Sequence, residues 1–313
     1  MDWILLGIPV GIMLLYFGSN WMVDGAKDLA LRMGVTPFVV GLTIVAFGSS
    51  SPEAVTSILS ADNPDIIIGN IVGSNIANVG LAIGLAAVIT PLIGKYEVIR
   101  FELITMLVAV AAVTLLSLSG VLGFYEGIVL IAALIVFVFL VYRIKKGTGE
   151  GEALEKNMDI SVPKCIAMVV VGLLALYFGA DVFVDGAVHL AGELGVSELL
   201  IGLLVVAVGS SLPELCICLV AAYKGENEIV ISNIVGSVIF NSFFALGLGA
   251  MVTSIPISDS LITFHMPVML ILSVILFVMI RTKNSITRPM GVVLLSIYVA
   301  YVAMMILVPD LTY

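Results

Sequence analysis

Long apolar stretches separated by short polar connections run the whole length of the chain. They fall at about residues 3 to 23, 37 to 60, 66 to 92, 101 to 119, 121 to 142, 162 to 184, 199 to 222, 228 to 253, 261 to 280 and 289 to 309. Each is long enough, as an α-helix, to cross a hydrocarbon layer of about 30 Å. The pattern predicts an all-α membrane protein with ten transmembrane helices. A closed β-barrel also satisfies every backbone group in lipid, but its strands alternate over about ten residues, whereas these stretches are twice as long and apolar throughout. The first stretch follows an acidic Asp2 instead of a basic flank and precedes nine similar segments, so it reads as a span and not as a signal peptide.

Composition agrees with the pattern. The 313 residues are 61% hydrophobic and 11% charged, where soluble domains carry roughly 25% charged residues. A soluble enzyme, a disordered chain and a disulfide-rich secreted module are excluded. With 13 Lys and Arg against 22 Asp and Glu, no basic footprint for nucleic acid exists. Cys165, Cys216 and Cys218 are odd in number and lie in apolar segments, so they read as small hydrophobes.

Counting the connections alternately puts every basic residue on one side: Lys27 and Arg32, Lys95 and Arg100, Arg143 with Lys145, Lys146, Lys156 and Lys164, then Lys224, and finally Arg281, Lys283 and Arg288. The other side carries acids, among them Asp62, Asp65, Asp185, Glu193, Asp259 and Asp310. The positive-inside rule then predicts a multi-pass protein of the cell membrane with both termini extracytoplasmic. The longest polar stretch, 143 to 161, would be a cytoplasmic linker too short for a regulatory domain.

The two halves repeat. Residues 16 to 53 align without gaps on 177 to 214, with more than half of the positions identical, and NIVGSNIAN from Asn70 to Asn78 matches NIVGSVIFN from Asn233 to Asn241. Each unit, 1–142 and 162–313, holds five spans. Five is odd, so the second unit enters the membrane from the opposite side, an inverted repeat of the kind that makes one site reachable from either face. That arrangement favours a transporter over a channel or scaffold.

Glu53 and Glu214 lie inside the second and seventh spans, each directly after a proline, Pro52 or Pro213. A carboxylate at the bilayer centre costs about 3 kcal/mol on insertion scales, so both are candidate functional groups. Proline removes a ladder N–H and clashes with the carbonyl four residues back, which frees carbonyls near Gly48 and Gly209 to face a site. Ser49, Ser50, Ser51, Ser210 and Ser211 add hydroxyls, although back-bonding to helix carbonyls is an equal reading for such residues. Ser74 and Asn78, and again Ser237 and Asn241, are four apart on one helix face. Carboxylates, hydroxyls and carbonyls form a hard oxygen environment suited to Ca²⁺ and Na⁺, where zinc or copper would want His or Cys. Gly69, Gly73, Gly80, Gly236, Gly247 and Gly249 read as small residues that let helices touch. Asn70 and Asn233 are either interhelical hydrogen bonders or groups with a gating or ion-contact role. Asp24 and Asp185 lie near span ends, Glu102 and Glu126 are expected in solvent at span boundaries, and His265 is expected in the core or at an interface.

The paired blocks GSSSPE with GSNIAN, and GSSLPE with GSVIFN, resemble the α-repeats of the calcium/cation antiporter superfamily, most closely the prokaryotic sodium/calcium exchangers. The resemblance covers nearly the whole chain. It implies a core of spans 2, 3, 7 and 8 and long, tilted spans 1 and 6 that slide across it. It makes Glu53 and Glu214 the principal metal carboxylates, Ser49, Ser74, Ser210 and Ser237 ligands or close neighbours, and Ala46 and Ala207 carbonyl donors. Asn78 and Asn241 take the polar positions on spans 3 and 8. Some relatives, including the potassium-dependent branch, carry Asp where this chain has Asn241, which argues against potassium cotransport.

The function expected is electrogenic exchange of Na⁺ for Ca²⁺ by alternating access, driven by the sodium gradient, without cofactor, catalytic residue or obligate protein partner, in contact with membrane lipid. A proton-coupled Ca²⁺ antiporter could use the same glutamates, and a cation channel is a further alternative.

Overall fold

The computed structural model describes residues 3–145, 161–194 and 209–308. Among them nine helices are long and apolar enough to cross a membrane: α1 (Ile4–Met33), α2 (Pro37–Leu59), α3 (Pro64–Ile89), α4 (Tyr96–Ser117), α5 (Phe124–Val141), α6 (Val162–Glu193), α8 (Asn227–Val252), α9 (Leu261–Lys283) and α10 (Arg288–Leu307). Between α6 and α8 lies the shorter apolar helix α7 (Leu212–Tyr223). Part of its expected span, residues 199–208, is outside the described residues, as is most of the 143–161 linker. Local sequence accounts for the helix limits. Pro37, Pro64, Pro163 and Pro289 sit in first turns, where a missing N–H costs nothing. Gly34 (φ 66°) ends α1 and Asn284 (φ 51°) ends α9 in left-handed conformations.

Two helices are longer than the hydropathy pattern predicts. α1 and α6 continue through polar residues to Met33 and Glu193, beyond the expected limits at 23 and 184. Hydropathy ends where lipid ends, whereas a helix with good backbone formers and partners continues into the interface. The two pack against each other along their length, because glycines recur where they meet. A Cβ on Gly18 would lie 2.9 Å from the Gly172 carbonyl, and one on Gly172 would lie 2.8 Å from that of Gly18. Gly11 meets Phe183 and Gly25 meets Cys165, so the pair is antiparallel. Tyr16, Phe17 and Trp21 face outward from α1, as lipid-side residues do.

α8 is the most enclosed span, with the face of α2 on one side and α7 and α4 on others. Four two-residue strands tie the connections together. β1 (Leu92–Ile93) pairs with β4 (Ser285–Ile286), joining the α3–α4 and α9–α10 connections. β2 (Val121–Leu122) pairs with β3 (Ile255–Pro256), joining α4–α5 to α8–α9. At the polar end of α1, Lys224 Nζ donates to Asp24 at 2.7 Å and Lys27 pairs with Glu226.

One expectation is corrected. Glu102 is not solvated but fully buried. α4 begins at Tyr96, which places Glu102 inside the helix on the face shared with Ile99, Leu103 and Met106, and α4 packs onto α8 and α9. Glu126 stays near the surface, where its carboxylate accepts the Gly123 N–H at 2.9 Å and caps α5.

Candidate cation site

The site begins with two matching backbone breaks. α2 is interrupted at Ser50 (φ −89°, ψ 3°), and α7 starts after Ser211 (φ −95°, ψ 6°). Pro52 and Pro213 follow in the first turn of each new helical segment, and Glu53 and Glu214 come next, at the end where backbone N–H groups are unpaired. Both glutamates are buried, with exposures of 1% and 0%. Ser50 of α2, three residues before Glu53, reaches Glu214 Oε1 of α7 at 3.4 Å. Two segments far apart in the chain therefore deliver two carboxylates to one dry place.

The companion helices repeat the same device. Asn78 and Asn241 have identical backbone angles, φ −58° and ψ −48°, and each opens a π-helical turn, Asn78–Ile83 in α3 and Asn241–Ala245 in α8. A π turn adds a residue and shifts the hydrogen-bond register, a common way to aim a side chain at a functional site.

The hydrogen bonding is incomplete where it should be most complete. Both carboxylate oxygens of Glu53, Oε2 of Glu214, both amide atoms of Asn78 and of Asn241, and Oγ of Ser237 are buried with no hydrogen-bond partner among the described residues. Ser50 Oγ donates to Glu214 Oε1 at 3.4 Å. Ser49 Oγ donates to Asn233 Oδ1 at 3.4 Å and lies as far from the Ala46 carbonyl, which also accepts the Ser50 N–H at 3.0 Å. The Ser74 and Ser210 hydroxyls are 3.2 Å apart. Ser51 donates to the Phe47 carbonyl at 2.7 Å, the helix back-bonding that was the equal reading for these serines. An unpaired buried polar group costs roughly 1–3 kcal/mol, and charged ones more, so this concentration calls for a partner from outside the described residues. Carboxylate, amide and hydroxyl oxygens are the donor set that a hard cation takes.

A cavity of about 640 Å³ reaches the site. Pro52, Glu53, Ser74, Gly209, Ser210 and Pro213 line it beside the carboxylates, and Asp65, Ser258 and Ser260 line it at the α2–α3 and α8–α9 connections. No Lys or Arg is among its described lining residues. Glu214, Ser49, Ser237, Asn78 and Asn241 are not among its lining residues. Ala207 is outside the described residues. His265 is buried at the cavity, its Nδ1 2.8 Å from the Tyr301 hydroxyl.

Two features escaped the sequence reading. Asn75 Nδ2 donates to Ser242 Oγ at 3.1 Å, tying α3 to the π turn of α8. Its signal was a departure from the repeat, since the matching position is Val238. Tyr298 and Tyr301 also line the cavity, and their spacing of three in α10 could have marked them as one face. Gly69 and Gly73 line the cavity, and nothing among the described residues lies within 4 Å of a Cβ on either; positions 202 and 207, which the repeat would set against them, are outside the described residues. Gly80, Gly236, Gly247 and Gly249 do meet neighbouring helices.

A multi-span helical protein with a buried oxygen cluster and a cation-friendly access path is a membrane ion transporter by construction. Comparison with known proteins gives the family. The family model described as sodium/calcium exchanger protein matches residues 3–143 and 164–307, and the chain belongs to that family. It is 34% identical to an uncharacterized membrane protein of Methanocaldococcus jannaschii, covering 94% of this chain and 95% of that one. It is 30% identical to the sodium/calcium exchanger MaX1 of Methanosarcina acetivorans, covering 95% and 96%. The structure of the sodium-calcium exchanger NCX_Mj soaked with Na⁺ and Sr²⁺ superposes with a TM-score of 0.85 at 32% identity, over 97% of this chain and 99% of that one.

Proposed function

We propose that this antiporter exchanges Na⁺ for Ca²⁺ through one shared oxygen site. Glu53 and Glu214 are its carboxylates. Asn78, Asn241, Ser49, Ser74, Ser210 and Ser237 complete the shell, with backbone oxygen from Ala46 and Ala207. The observation that carries this reading is the cluster of buried, unpartnered side-chain oxygens on α2, α3, α7 and α8. Two ionised glutamates are balanced by one Ca²⁺ or by two Na⁺, so the two cargoes compete for the same groups. The loaded site can cross between faces, while the bare, doubly anionic site is held back by its charge. Energy comes from the sodium gradient, with no cofactor.

The same reading makes the fold ten spans in two inverted five-helix units, 1–142 and 162–313. The β pairings support it: exchanging the units maps the connections joined by β1 and β4 onto those joined by β2 and β3. Basic connections face the cytoplasm, both termini lie outside, and the cavity, lined by Asp65 and Asp181 from the acidic side, opens outward.

In proteoliposomes, Glu53→Gln is expected to lower Na⁺-driven Ca²⁺ uptake at least about a hundred-fold, in keeping with loss of a buried charged ligand. Wild-type flux in the variant overturns the site. Replacing sodium with choline is expected to stop uptake; uptake that persists on a pH gradient would assign the coupling ion as the proton.

A further inference from the structure

The two halves are alike in sequence but differ in one contact, and the difference has a pattern. On α8, Asn233 is fully buried, and its Oδ1 accepts the Ser49 hydroxyl of α2 at 3.4 Å. Its repeat counterpart on α3, Asn70, is half-buried and lines the cavity. Gly236 is closed against α2, with a Cβ there only 2.5 Å from that of Ala46, whereas its counterpart Gly73 lines the cavity. The counterpart of Ser49 is Ser210, and Ser210 does not bond Asn70. It bonds Ser74, one helical turn further along α3. The counterpart of Ser74 on α8, Ser237, has a buried hydroxyl one turn beyond Asn233 with no hydrogen-bond partner among the described residues.

From these contacts we infer that Asn233 and Asn70 are positioning residues that hold the two ligand serines in alternation. In the conformation seen here Ser49 is held by Asn233 and Ser210 by Ser74. When the halves exchange conformations, Ser210 is held by Asn70 and Ser49 by Ser237. Each serine steps one turn along its companion helix, and the asparagine left behind lines the newly opened cavity. Packed interfaces favour two discrete arrangements over a continuum, and a one-turn step is a known unit of such transitions. The step would move a ligand hydroxyl relative to Glu53 and Glu214 without breaking the site. This inference rests on the cation site proposed above.

The test uses opposite signs. In oriented vesicles, half-saturation for Ca²⁺ is measured separately at each face. Asn233→Ala removes a hold on the present conformation, so half-saturation is expected to rise at the cavity face and fall at the other. Asn70→Ala is expected to do the reverse. One hydrogen bond corresponds to about a five-fold change in the ratio of the two values. The double variant is expected near the wild-type ratio, and Asn233→Ser, which keeps a polar partner, is expected to recover part of the shift. Shifts of the same sign at both faces in the two variants, or no shift, overturn the inference. If a variant does not fold, a cysteine at position 70 or 233 in a background lacking Cys165, Cys216 and Cys218 reads the same states: reagent at the cavity face is expected to label position 70 and not 233, and equal labelling overturns the alternation. Failure of the site itself is separate, because it appears as wild-type flux in Glu53→Gln.

Discussion

At Asn241 the needs of folding and of ion binding are expected to separate. Its amide is buried and makes no hydrogen bond with described residues. Asn75, also buried, spends one amide hydrogen on Ser242. Removing an unpartnered polar group relieves a desolvation cost, while removing one half of a buried hydrogen bond leaves the other half orphaned. Asn241→Ala is therefore expected to leave ion-free thermal stability unchanged within about 1 kcal/mol, and to weaken Ca²⁺ binding about ten-fold or more, as loss of an oxygen ligand does. Asn75→Ala is expected to lower stability by about 1–2 kcal/mol. Detergent melting curves with and without Ca²⁺ check both, and a destabilised, normally binding Asn241→Ala would remove it from the ligand shell. At this scale much was legible in the chain: carboxylates after prolines in apolar runs are costly enough to announce themselves. Glu102 was not legible, because a charge seven residues into a helix reads as a boundary until the packing on α8 and α9 is known.

Helices raise a different question, that of close approach. Gly172 and Gly73 are both glycines in apolar spans, yet they do opposite things. A Cβ on Gly172 would sit 2.8 Å from the Gly18 carbonyl and the Met22 nitrogen, whereas one on Gly73 would meet nothing within 4 Å among the described residues. Gly172→Ala is expected to cost about 1–3 kcal/mol by overpacking the α1–α6 contact. Gly73→Ala is expected to fold normally, and equal destabilisation of the two in the same melting assay would contradict the packing described. The ion pairs joining α1 to the α7–α8 connection are partly exposed, so a double-mutant cycle on Asp24 and Lys224 is expected to give about 1 kcal/mol or less. The sevenfold recurrence of Gly11, Gly18 and Gly25, and of Gly172, Gly179 and Gly186, stands in the sequence. What it means needed the antiparallel pairing, since a glycine period does not name its partner. Hydropathy likewise located α1 and α6 but stopped short of their true ends, because it measures preference for lipid and not for helix.

For the whole molecule the decisive quantity is the net charge carried across the membrane in each half of the cycle. With both glutamates ionised and no Lys or Arg among the described cavity lining, the proposed site carries a charge of minus two. One Ca²⁺ makes the loaded site neutral; two Na⁺ would do the same, and each further Na⁺ leaves one positive charge to be moved through the field. Electrogenic exchange of the kind expected from the sequence therefore needs at least three Na⁺ per Ca²⁺. A membrane potential of 100 mV acts on one elementary charge with about 2.3 kcal/mol, enough to change a rate many-fold if the whole field is crossed in one step. Ca²⁺ efflux from proteoliposomes driven by external Na⁺ is therefore expected to accelerate several-fold when a potassium diffusion potential makes the interior negative, and to slow when it makes it positive. The voltage sensitivity should belong to the Na⁺-loaded transition, so Ca²⁺ for Ca²⁺ exchange in the absence of Na⁺ is expected to be nearly indifferent to the same potential. Na⁺-driven flux that ignores voltage would instead fix the exchange at two Na⁺ per Ca²⁺, the ratio at which two glutamates alone neutralise both cargoes.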